Sequence, residues 1–223
     1  MQKSGLQYQR TIKKHHTNNQ GVCDCDFYAL TKEDYYEKQG RVCPWALRST
    51  LEWEYHDTEW GVPLRNDAQL FELLVLEYMQ AGLSWQTILQ KREAMRSAFD
   101  RFSPKIISRY DGEKINKLMN NPSIIRNRKK LEALPVNARA FLRVQQEYGF
   151  FWKYLWAFVD HVPLIRSPVE PDDIPTRSEL SETISKDMKK RGFVFIGPTI
   201  IYSYLQASGL INDHLVRCYL HKK

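Results

Sequence analysis

Glu77 is the residue whose position in the sequence most clearly points to chemistry. It follows Leu73 and Leu74 by one turn, on the apolar stripe of a helix that the spacing predicts to begin after Asn66. A carboxylate is costly to bury in a core unless it is paired or hydrogen-bonded, and active sites use such groups with shifted pKa values. Two interpretations stay open here: an active-site acid, or a core glutamate that pairs with an arginine or reaches solvent.

Two cysteine–histidine pairs form a second constellation, one near each end of the apolar part of the chain. Twelve residues separate Cys43 from His56, which alone is a weak metal signal. His214 and Cys218 are four apart, so one helical turn would bring both to the same face. Together the four residues make a Cys2His2 set, complete for tetrahedral zinc with no open position. We therefore predict a structural zinc site; the alternative is two unrelated pairs.

A polar turn followed by cations lies near the middle of the chain. Residues 120–130 read NNPSIIRNRKK, and four of the last five positions are basic. A tight turn between two helical patterns makes a helix-hairpin-helix motif possible, in which turn amides and a helix N-terminus can bind a phosphate. An ordinary helical hairpin with a solvated basic face fits the same residues.

Composition narrows the class of protein. The chain has 223 residues and a net charge of +7, which suits a polyanionic partner without requiring one. Its four cysteines do not resemble a secreted disulfide framework. Since no apolar run is long enough to span a membrane and no signal peptide is visible, we expect a soluble, cytoplasmic protein that does not bind membranes.

The chain divides into two predicted parts. Residues 1–40 are polar and basic, and we expect a flexible extension there, whereas residues 41–223 are expected to form one domain. Helical periodicity and end signals in this domain predict an all-α fold. After the helix that starts at Asn66, the pattern predicts helices over residues 87–102, 104–118, 131–148, 150–158, 178–191 and 199–209, with a proline-rich loop at 162–177.

Five stretches between Arg41 and Cys218 resemble one known family, the 3-methyladenine DNA glycosylase I (Tag-type) enzymes. The resemblance extends from about Arg41 to Cys218, which is most of the chain, and its motifs are long and specific. They are Cys43-x-Trp45, Tyr55-His56-Asp57-x-Glu59-Trp60-Gly61-Val62-Pro63, Leu76-Glu77-x-x-Gln80-Ala81-Gly82-Leu83-Ser84-Trp85, Lys190-Arg191-Gly192-Phe193-x-Phe195-x-Gly197 and Gln206-Ala207-x-Gly209-Leu210-x-Asn212-Asp213-His214.

The resemblance implies an all-helical helix-hairpin-helix glycosylase fold, with zinc joining the N- and C-terminal parts of the domain. By position, the implied zinc ligands are Cys43, His56, His214 and Cys218. The implied base pocket consists of the catalytic residue Glu77 and the base-binding aromatics Tyr55, Trp60 and Trp85. The implied DNA-binding residues are Ala81, Gly82 and Leu83 in one turn, and Ser123, Arg126 and Arg128 in the hairpin.

The implied activity is excision of 3-methyladenine from alkylated double-stranded DNA by hydrolysis of the N-glycosidic bond, as in base excision repair. A base inside a duplex must be flipped out before it can react. Methylation at N3 leaves the base cationic, so it is a good leaving group, and a carboxylate at Glu77 would favour it over neutral adenine. Free 3-methyladenine would be the product, and we expect a monomer.

Several positions depart from the family pattern. Tyr78 and Met79 stand where the family usually has a glycine and a small or polar residue. In the hairpin, Ser123 replaces a usual glycine and Asn121 a frequent acid, and Glu52 replaces an aromatic found in some members. Since serine adopts a positive φ less readily than glycine, the turn geometry of the hairpin, and any monovalent cation bound there, are in question.

Two other hypotheses compete with this enzyme. A zinc-stapled DNA-binding module without catalysis would explain the charge, hairpin and metal ligands, but not an acid on the apolar stripe beside three aromatic residues. A related glycosylase with a different lesion range is the other, and Tyr78 and Met79 give a reason for it. Binding of free 3-methyladenine separates enzyme from module, and a lesion panel separates the two enzymes.

Overall fold

Helices form most of the computed structural model, which describes residues 7–18, 21–29 and 40–221. The helices are α1 (Thr50–Thr58), α2 (Asp67–Gln80), α3 (Trp85–Ala98), α4 (Pro104–Ile107), α5 (Gly112–Met119), α6 (Arg128–Tyr148), α7 (Phe151–Ala157), α8 (Glu179–Lys190) and α9 (Pro198–Ala207). Short 3-10 helices lie at Pro44–Arg48, Asp100–Phe102 and Pro171–Asp173. Among the described residues, no helix has the length and apolar character needed to cross a bilayer.

Two small sheets accompany the helices. Strands β1 (Gln7–Asn18) and β2 (Gly21–Ala29) pair antiparallel, from Gln7 opposite Ala29 to Asn18 opposite Gly21. Strands β3 (Leu164–Ile165) and β4 (Ile211–Asn212) pair in parallel. The expectation of an all-α chain is thus confirmed in its coarser form: the fold is mostly helical, and the strands were not predicted.

The predicted extension, residues 1–40, is described only in part. Its backbone forms β1 and β2, and most of its other residues lie outside the described ranges, as do residues 222–223 of the domain. The flexibility of this segment and the boundary at residue 40 therefore stay predictions.

Helix α2 lies at the centre of the domain. Asn66 caps it as predicted, because its side chain accepts a hydrogen bond from the amide of Gln69 at 3.1 Å. Every residue from Leu70 to Met79 is buried, which is typical of a helix that packs on all sides. Glu77 thus belongs to the most enclosed helix of the fold.

Helices α3, α6, α7 and α9 surround α2. The ring of Phe71 on α2 contacts Phe141 of α6 edge-on at 5.0 Å, and Phe141 stacks on Phe151 of α7 at 4.1 Å. From α9, the hydroxyl of Tyr204 donates to the carbonyl of Leu70 at 3.1 Å. These contacts fix α2 and therefore the position of Glu77.

Three predicted helical segments differ from the structure. The helix predicted over residues 104–118 is interrupted, because α4 ends at Ile107 and α5 begins at Gly112. The helix predicted over residues 87–102 ends at Ala98, and Asp100–Phe102 make a separate turn in which all three φ angles are positive. The helical turn expected to join His214 and Cys218 is absent, since residues 213–221 contain turns rather than a helix. A bond from the Cys218 amide to the Leu215 carbonyl, at 2.7 Å, closes one of these turns.

The beginning and end of the domain lie against each other. The Gly61 amide donates to the Gln206 carbonyl and the Leu64 amide to the Ser208 carbonyl, each at 3.0 Å. Gly209 has a φ of +70°, and a Cβ atom there would lie 2.3 Å from the carbonyl carbon of Val62. Only glycine permits this approach, which brings the segment after α1 to the C-terminal segment.

Candidate active site and metal centre

The predicted metal ligands meet in one buried cluster. Their ligating atoms all lie within 4.8 Å of one another, and all four side chains are buried: Cys43, His56, His214 and Cys218. Cys43 comes from the segment before the first 3-10 helix, His56 from α1, and the other two from the C-terminal turns. The cluster therefore unites both ends of the domain even though the predicted helical turn is missing.

The spacing of the ligands fits one tetrahedral ion. A sulfur and a nitrogen bound to the same tetrahedral ion at the usual distances of roughly 2.0–2.3 Å lie about 3.5 Å apart. Here Sγ of Cys43 lies 3.6 Å from Nδ1 of His214. Sγ of Cys218 lies 3.5 Å from the same nitrogen and 3.4 Å from Nε2 of His56. These residues could hold a metal ion without rearrangement.

The second nitrogen of each histidine faces an oxygen. Nδ1 of His56 lies 2.8 Å from Oδ1 of Asp57. The same oxygen accepts a bond from the Tyr219 hydroxyl, and Oδ2 accepts one from the Trp53 indole nitrogen. Nε2 of His214 lies 3.3 Å from the carbonyl of Trp60. An N–H on the outer nitrogen leaves the inner one free to coordinate, which is the usual second shell of metal-binding histidines.

The two thiols are close enough that each affects the pKa of the other. A hydrogen bond with Cys218, followed by burial, raises the pKa of Cys43, whereas the same contact lowers the pKa of Cys218. A divalent cation would remove this difference, because coordinating thiols are deprotonated. The chemistry of the donors thus agrees with their geometry.

Glu77 lies in a different environment from the other glutamate of α2. Its side chain is only 5% exposed, and no described residue forms a hydrogen bond or ion pair with it. The arginines nearby are used elsewhere, since Arg92 and Arg96 both bind Glu72, each at 2.6 Å. Pairing with an arginine, one of the two interpretations of Glu77, is therefore not what the structure shows.

Burial controls the protonation of Glu77. Loss of solvent raises its pKa to about 8, because an apolar environment disfavours the charged carboxylate. Glu77 also affects the neighbouring Tyr55. Burial is the largest cause that raises the pKa of Tyr55, and the negative charge of Glu77 is the next largest. A cationic ligand placed here would favour the ionised carboxylate.

The rings of Tyr55 and Trp85 contact each other, and Tyr55 is close enough to Glu77 for its charge to raise the Tyr55 pKa. Their ring centroids are 5.1 Å apart and their planes are tilted by 52°. Tyr55 belongs to α1, and Trp85 is the first residue of α3. Ser84 caps α3, because its hydroxyl accepts a hydrogen bond from the Thr87 amide at 3.2 Å. Trp60, the third aromatic residue predicted for the base pocket, is buried, and its ring lies 4.6 Å from that of His214, so it packs against the metal cluster.

Trp45 is a residue to which sequence reasoning gave no role. Its ring contacts Trp60 edge-on at 5.1 Å, His56 at 5.4 Å and Tyr55 at 6.3 Å. It therefore connects the metal ligands to the aromatic walls. The Cys43-x-Trp45 motif was the available signal, but spacing alone does not indicate what a partly buried tryptophan contacts.

Unsatisfied polar atoms surround the same region. The Tyr55 hydroxyl, the Tyr78 hydroxyl and the Trp85 indole nitrogen are buried without a hydrogen-bond partner among the described residues. Buried polar groups are nearly always paired in proteins. Tyr55 and Trp85, whose rings contact each other, thus combine flat apolar surfaces with free polar atoms, as recognition of a polar aromatic ligand requires.

The predicted DNA-facing turn directly follows α2. Ala81, Gly82 and Leu83 are all exposed, and the Leu83 side chain is 41% exposed although it is large and apolar. Gly82 has a φ of +79°, a conformation that favours glycine. The turn thus presents an apolar side chain only a few residues from the buried carboxyl.

The predicted hairpin joins α5 to α6. Ser123, Arg126 and Arg128 are exposed, and Arg128 donates to Asn116 at 3.0 Å. Ser123 is not among the described residues with positive φ. Instead, the Asn121 side chain accepts a hydrogen bond from the Ser123 amide at 3.0 Å. The turn therefore forms without a positive φ angle at Ser123.

Comparison with known proteins places this site in context. The family model described as methyladenine glycosylase matches residues 45–221. The DNA-3-methyladenine glycosylase of Haemophilus influenzae is 44% identical over 176 residues, which are 79% of this chain and 95% of that protein. DNA-3-methyladenine glycosylase 1 of Escherichia coli is also 44% identical, over 79% of this chain and 94% of its own length.

A solved structure has the same fold. It is a variant of 3-methyladenine DNA glycosylase I in complex with 3-methyladenine, 38% identical, with a TM-score of 0.79 over 82% of this chain and 98% of that one. The match spans nearly all of the described helical domain. With a family model and close relatives that agree, the resemblance inferred from the motifs is confirmed, and the chain belongs to the methyladenine glycosylase family.

Proposed function

We propose that the protein is a DNA repair glycosylase, which flips 3-methyladenine out of alkylated double-stranded DNA and hydrolyses its N-glycosidic bond. Its family and the relatives that are 44% identical confirm the enzyme class predicted from the sequence. The observation that carries the proposal is the Glu77 carboxyl: it is buried, unpaired among the described residues, and close to Tyr55, whose ring contacts Trp85.

Glu77 would recognise the lesion through its charge. The flipped base is cationic, and an opposite charge within about 4–6 Å stabilises a carboxylate and lowers its pKa. Glu77 would therefore ionise as the base enters and accept hydrogen bonds from it. Neutral adenine offers no such compensation, so the energy needed to charge a buried carboxyl discriminates against undamaged DNA.

The aromatic residues would hold the base by its flat surface. Stacking of a cationic ring on Tyr55 or Trp85 adds a cation–π contribution of about 0.5–2 kcal/mol. The free Tyr55 hydroxyl and Trp85 indole nitrogen are available for polar contacts with the base. Trp45, which contacts both Tyr55 and Trp60, would support the Tyr55 ring against the metal cluster.

The exposed turn and hairpin would bind the DNA around the lesion. Leu83 and its turn would fill the gap left by the flipped nucleotide, since its large apolar side chain is 41% exposed. Helices α5 and α6 with residues 120–127 would form the helix-hairpin-helix motif. Ser123, Arg126 and Arg128 would contact phosphates, which position a protein on DNA without reading the base sequence.

Zinc is the metal that we propose for the cluster of two cysteines and two histidines. A site of four protein ligands leaves no position for a substrate, so its role would be structural. Bound zinc would supply folding free energy by joining Cys43 and His56 to His214 and Cys218. A monomeric state and a cytoplasmic location also stay predictions.

Two of the departures from the family pattern lie in the core. Tyr78 and Met79 are fully buried, so they replace small residues in the packing of α2 rather than on its exposed end. We therefore retain 3-methyladenine as the substrate and include 3-methylguanine as a second lesion to test. A panel of alkylated bases measures whether these side chains change the lesion range.

Release of free base from methylated duplex DNA tests the proposal directly. We expect wild-type protein to release 3-methyladenine, and Glu77→Ala to do so at least tenfold more slowly because the carboxylate is lost. Glu93→Ala is the matched control, since the Glu93 side chain is 77% exposed on α3, and its rate should equal that of wild type.

Three outcomes would contradict parts of the proposal. A folded, zinc-loaded wild type that releases no base would indicate the DNA-binding module instead. Release by Glu77→Ala at the wild-type rate would remove Glu77 from its role. Release of another base but not 3-methyladenine would indicate a different lesion range.

A further inference from the structure

Lys130 is a buried lysine whose charge faces the backbone rather than the solvent. It is the third residue of α6 and only 6% exposed. Its ammonium group donates to the carbonyl of Met79 at 2.9 Å and to that of Ala81 at 2.6 Å. Both carbonyls lie at the junction of α2 with the Ala81–Gly82–Leu83 turn, so a residue that follows the hairpin holds the turn that follows Glu77.

Lys91 makes a corresponding contact with the hairpin. It belongs to α3, and its ammonium donates to the carbonyl of Pro122 at 3.3 Å and to that of Ser123 at 3.1 Å. These carbonyls lie in the hairpin turn, in which Ser123 stands where the family usually has glycine. A helix that starts directly after the Ala81–Gly82–Leu83 turn therefore holds the hairpin in return.

The Lys130 contact satisfies groups that α2 leaves open, because Met79 and Ala81 lie at its C-terminal end. The last carbonyls of a helix lack partners within that helix, and a cation there interacts favourably with the helix dipole. Burial lowers the pKa of Lys130, because desolvation disfavours the charged ammonium, and the two carbonyls are its hydrogen-bond partners. A neutral side chain at this position would leave both carbonyls unsatisfied.

The two lysines close a ring of connections. From α2 the chain passes through the exposed turn into α3, Lys91 joins α3 to the hairpin, and Lys130 joins the helix after the hairpin back to α2. We propose that Lys91 and Lys130 are positioning residues that fix the Ala81–Gly82–Leu83 turn relative to the hairpin. The proposal rests on the proposed function, in which these two surfaces contact DNA around the lesion.

Fixed spacing of the two surfaces has a consequence for catalysis. The hairpin sets the position of the protein on the phosphates, and the turn must then enter the duplex at the damaged step. A misplacement of about 1 Å in a positioned group can lower a rate roughly 100-fold. Loss of either lysine should therefore slow base release more than it weakens DNA binding.

Salt dependence distinguishes a positioning lysine from a phosphate contact. Each phosphate that a cation neutralises on duplex DNA contributes about 0.9 to the slope of log affinity against log salt concentration. We expect Lys130→Met and Lys91→Met to keep the wild-type slope, since their ammonium groups are already bound to carbonyls. Arg126→Gln should lower the slope by about 0.9, because Arg126 is exposed and has no ion-pair partner among the described residues.

Single-turnover excision at saturating enzyme completes the test. We expect Lys130→Met and Lys91→Met to release base at least tenfold more slowly than wild type, with binding of free 3-methyladenine retained. Lys186→Met, an exposed lysine on α8, should match wild type in both measurements. If a lysine variant lowers the salt slope by about 0.9, the contribution of one phosphate, and leaves the single-turnover rate unchanged, the proposal is overturned. A variant that changes neither the slope nor the rate would overturn it as well.

Hydrogen exchange tests the ring without DNA. We expect Lys130→Met to accelerate exchange in peptides covering residues 78–85, and Lys91→Met in those covering residues 118–126. Unchanged exchange in both variants would overturn the proposal even if the wild type released no base, whereas absence of base release with accelerated exchange would sink only the proposed function. If Lys130→Met does not fold, Lys91→Met, whose lysine is only partly buried, decides the outcome together with Lys130→Arg, which retains the cation and should fold.

Discussion

Glu77 and Glu72 lie on the same helix and differ in what compensates their charge. Glu72 receives bonds from Arg92 and Arg96, each at 2.6 Å. No described residue forms a hydrogen bond or ion pair with Glu77, and burial raises its pKa to about 8. Of these two glutamates, Glu77 is therefore the one whose negative charge no described residue compensates.

This difference predicts a dependence of stability on pH. Because the pKa of Glu77 is higher in the folded protein than in the unfolded chain, the folded state binds more protons between pH 4.5 and 8. Stability therefore falls as pH rises through this range. At pH 9 we expect Glu77→Gln to be more stable than wild type by roughly 2–5 kcal/mol, since about 1.4 kcal/mol corresponds to each pKa unit.

Urea unfolding at pH 4 and pH 9 measures this effect. The two proteins should have similar stability at pH 4, where the carboxyl is protonated in both states, and should diverge at pH 9. Glu93→Gln, on the exposed face of α3, controls for loss of a carboxylate alone. Equal stability of Glu77→Gln and wild type at pH 9 would show that the carboxyl is solvated or paired.

At the scale of elements, Asp67 joins three helices. It is the first residue of α2, and its carboxylate accepts bonds from the Phe151 amide at 2.8 Å and the Trp152 amide at 2.9 Å. Gln145 of α6 donates to it at 2.6 Å. Phe150, which precedes α7, makes no side-chain cap, so Asp67 caps that helix from a distance of more than 80 residues in sequence.

We expect Asp67→Ala to destabilise the protein by about 2–3 kcal/mol, because hydrogen bonds to a charged group contribute more than neutral ones and the freed amides are partly buried. Asp111→Ala is the matched comparison. Its carboxylate accepts one exposed bond, from the Lys114 amide at 2.9 Å, and its removal should lower stability by only about 1 kcal/mol. Urea midpoints of the two variants measure the difference; equal losses would show that Asp67 acts only as a local cap.

For the whole molecule, the metal cluster is the contact of longest sequence separation that the site uses. Cys43 and His214 are 171 residues apart, and His56 and Cys218 are 162 apart. An ion bound there constrains both ends of the domain at once. It would also hold Trp60 in place, because the Trp60 carbonyl faces His214.

Metal removal should therefore lower the melting temperature. We expect Cys218→Ala, or a strong chelator, to destabilise the protein by several kcal/mol, or roughly 10 °C or more, because structural zinc contributes folding free energy. The chelator should not lower the melting temperature of Cys218→Ala further. A wild type that melts at the same temperature with and without chelator would contradict the metal site.

Local signals predicted the helices well where a cap or a stop determines the end. Asn66 caps α2 with a bond of 3.1 Å to Gln69, and Pro104 opens α4, both as predicted. The tail of the helix predicted over residues 87–102 was wrong, because Asp100, Arg101 and Phe102 adopt positive φ angles that no composition signal marks. Strands β3 and β4 were missed because two residues each are too short for a periodic pattern.

The sequence by itself determined the family, the ligand types of the metal cluster and the acid on the apolar stripe, because motif residues and spacing record these directly. Only the tertiary structure decided that His214 and Cys218 meet without a helix, that Arg92 and Arg96 bind Glu72 rather than Glu77, and that Lys130 and Lys91 bind backbone carbonyls. The physical reason is that periodicity shows which face of a helix is buried but not what lies opposite it. The partner of a charged side chain depends on how segments far apart in sequence pack together, and that packing exists only in the folded chain.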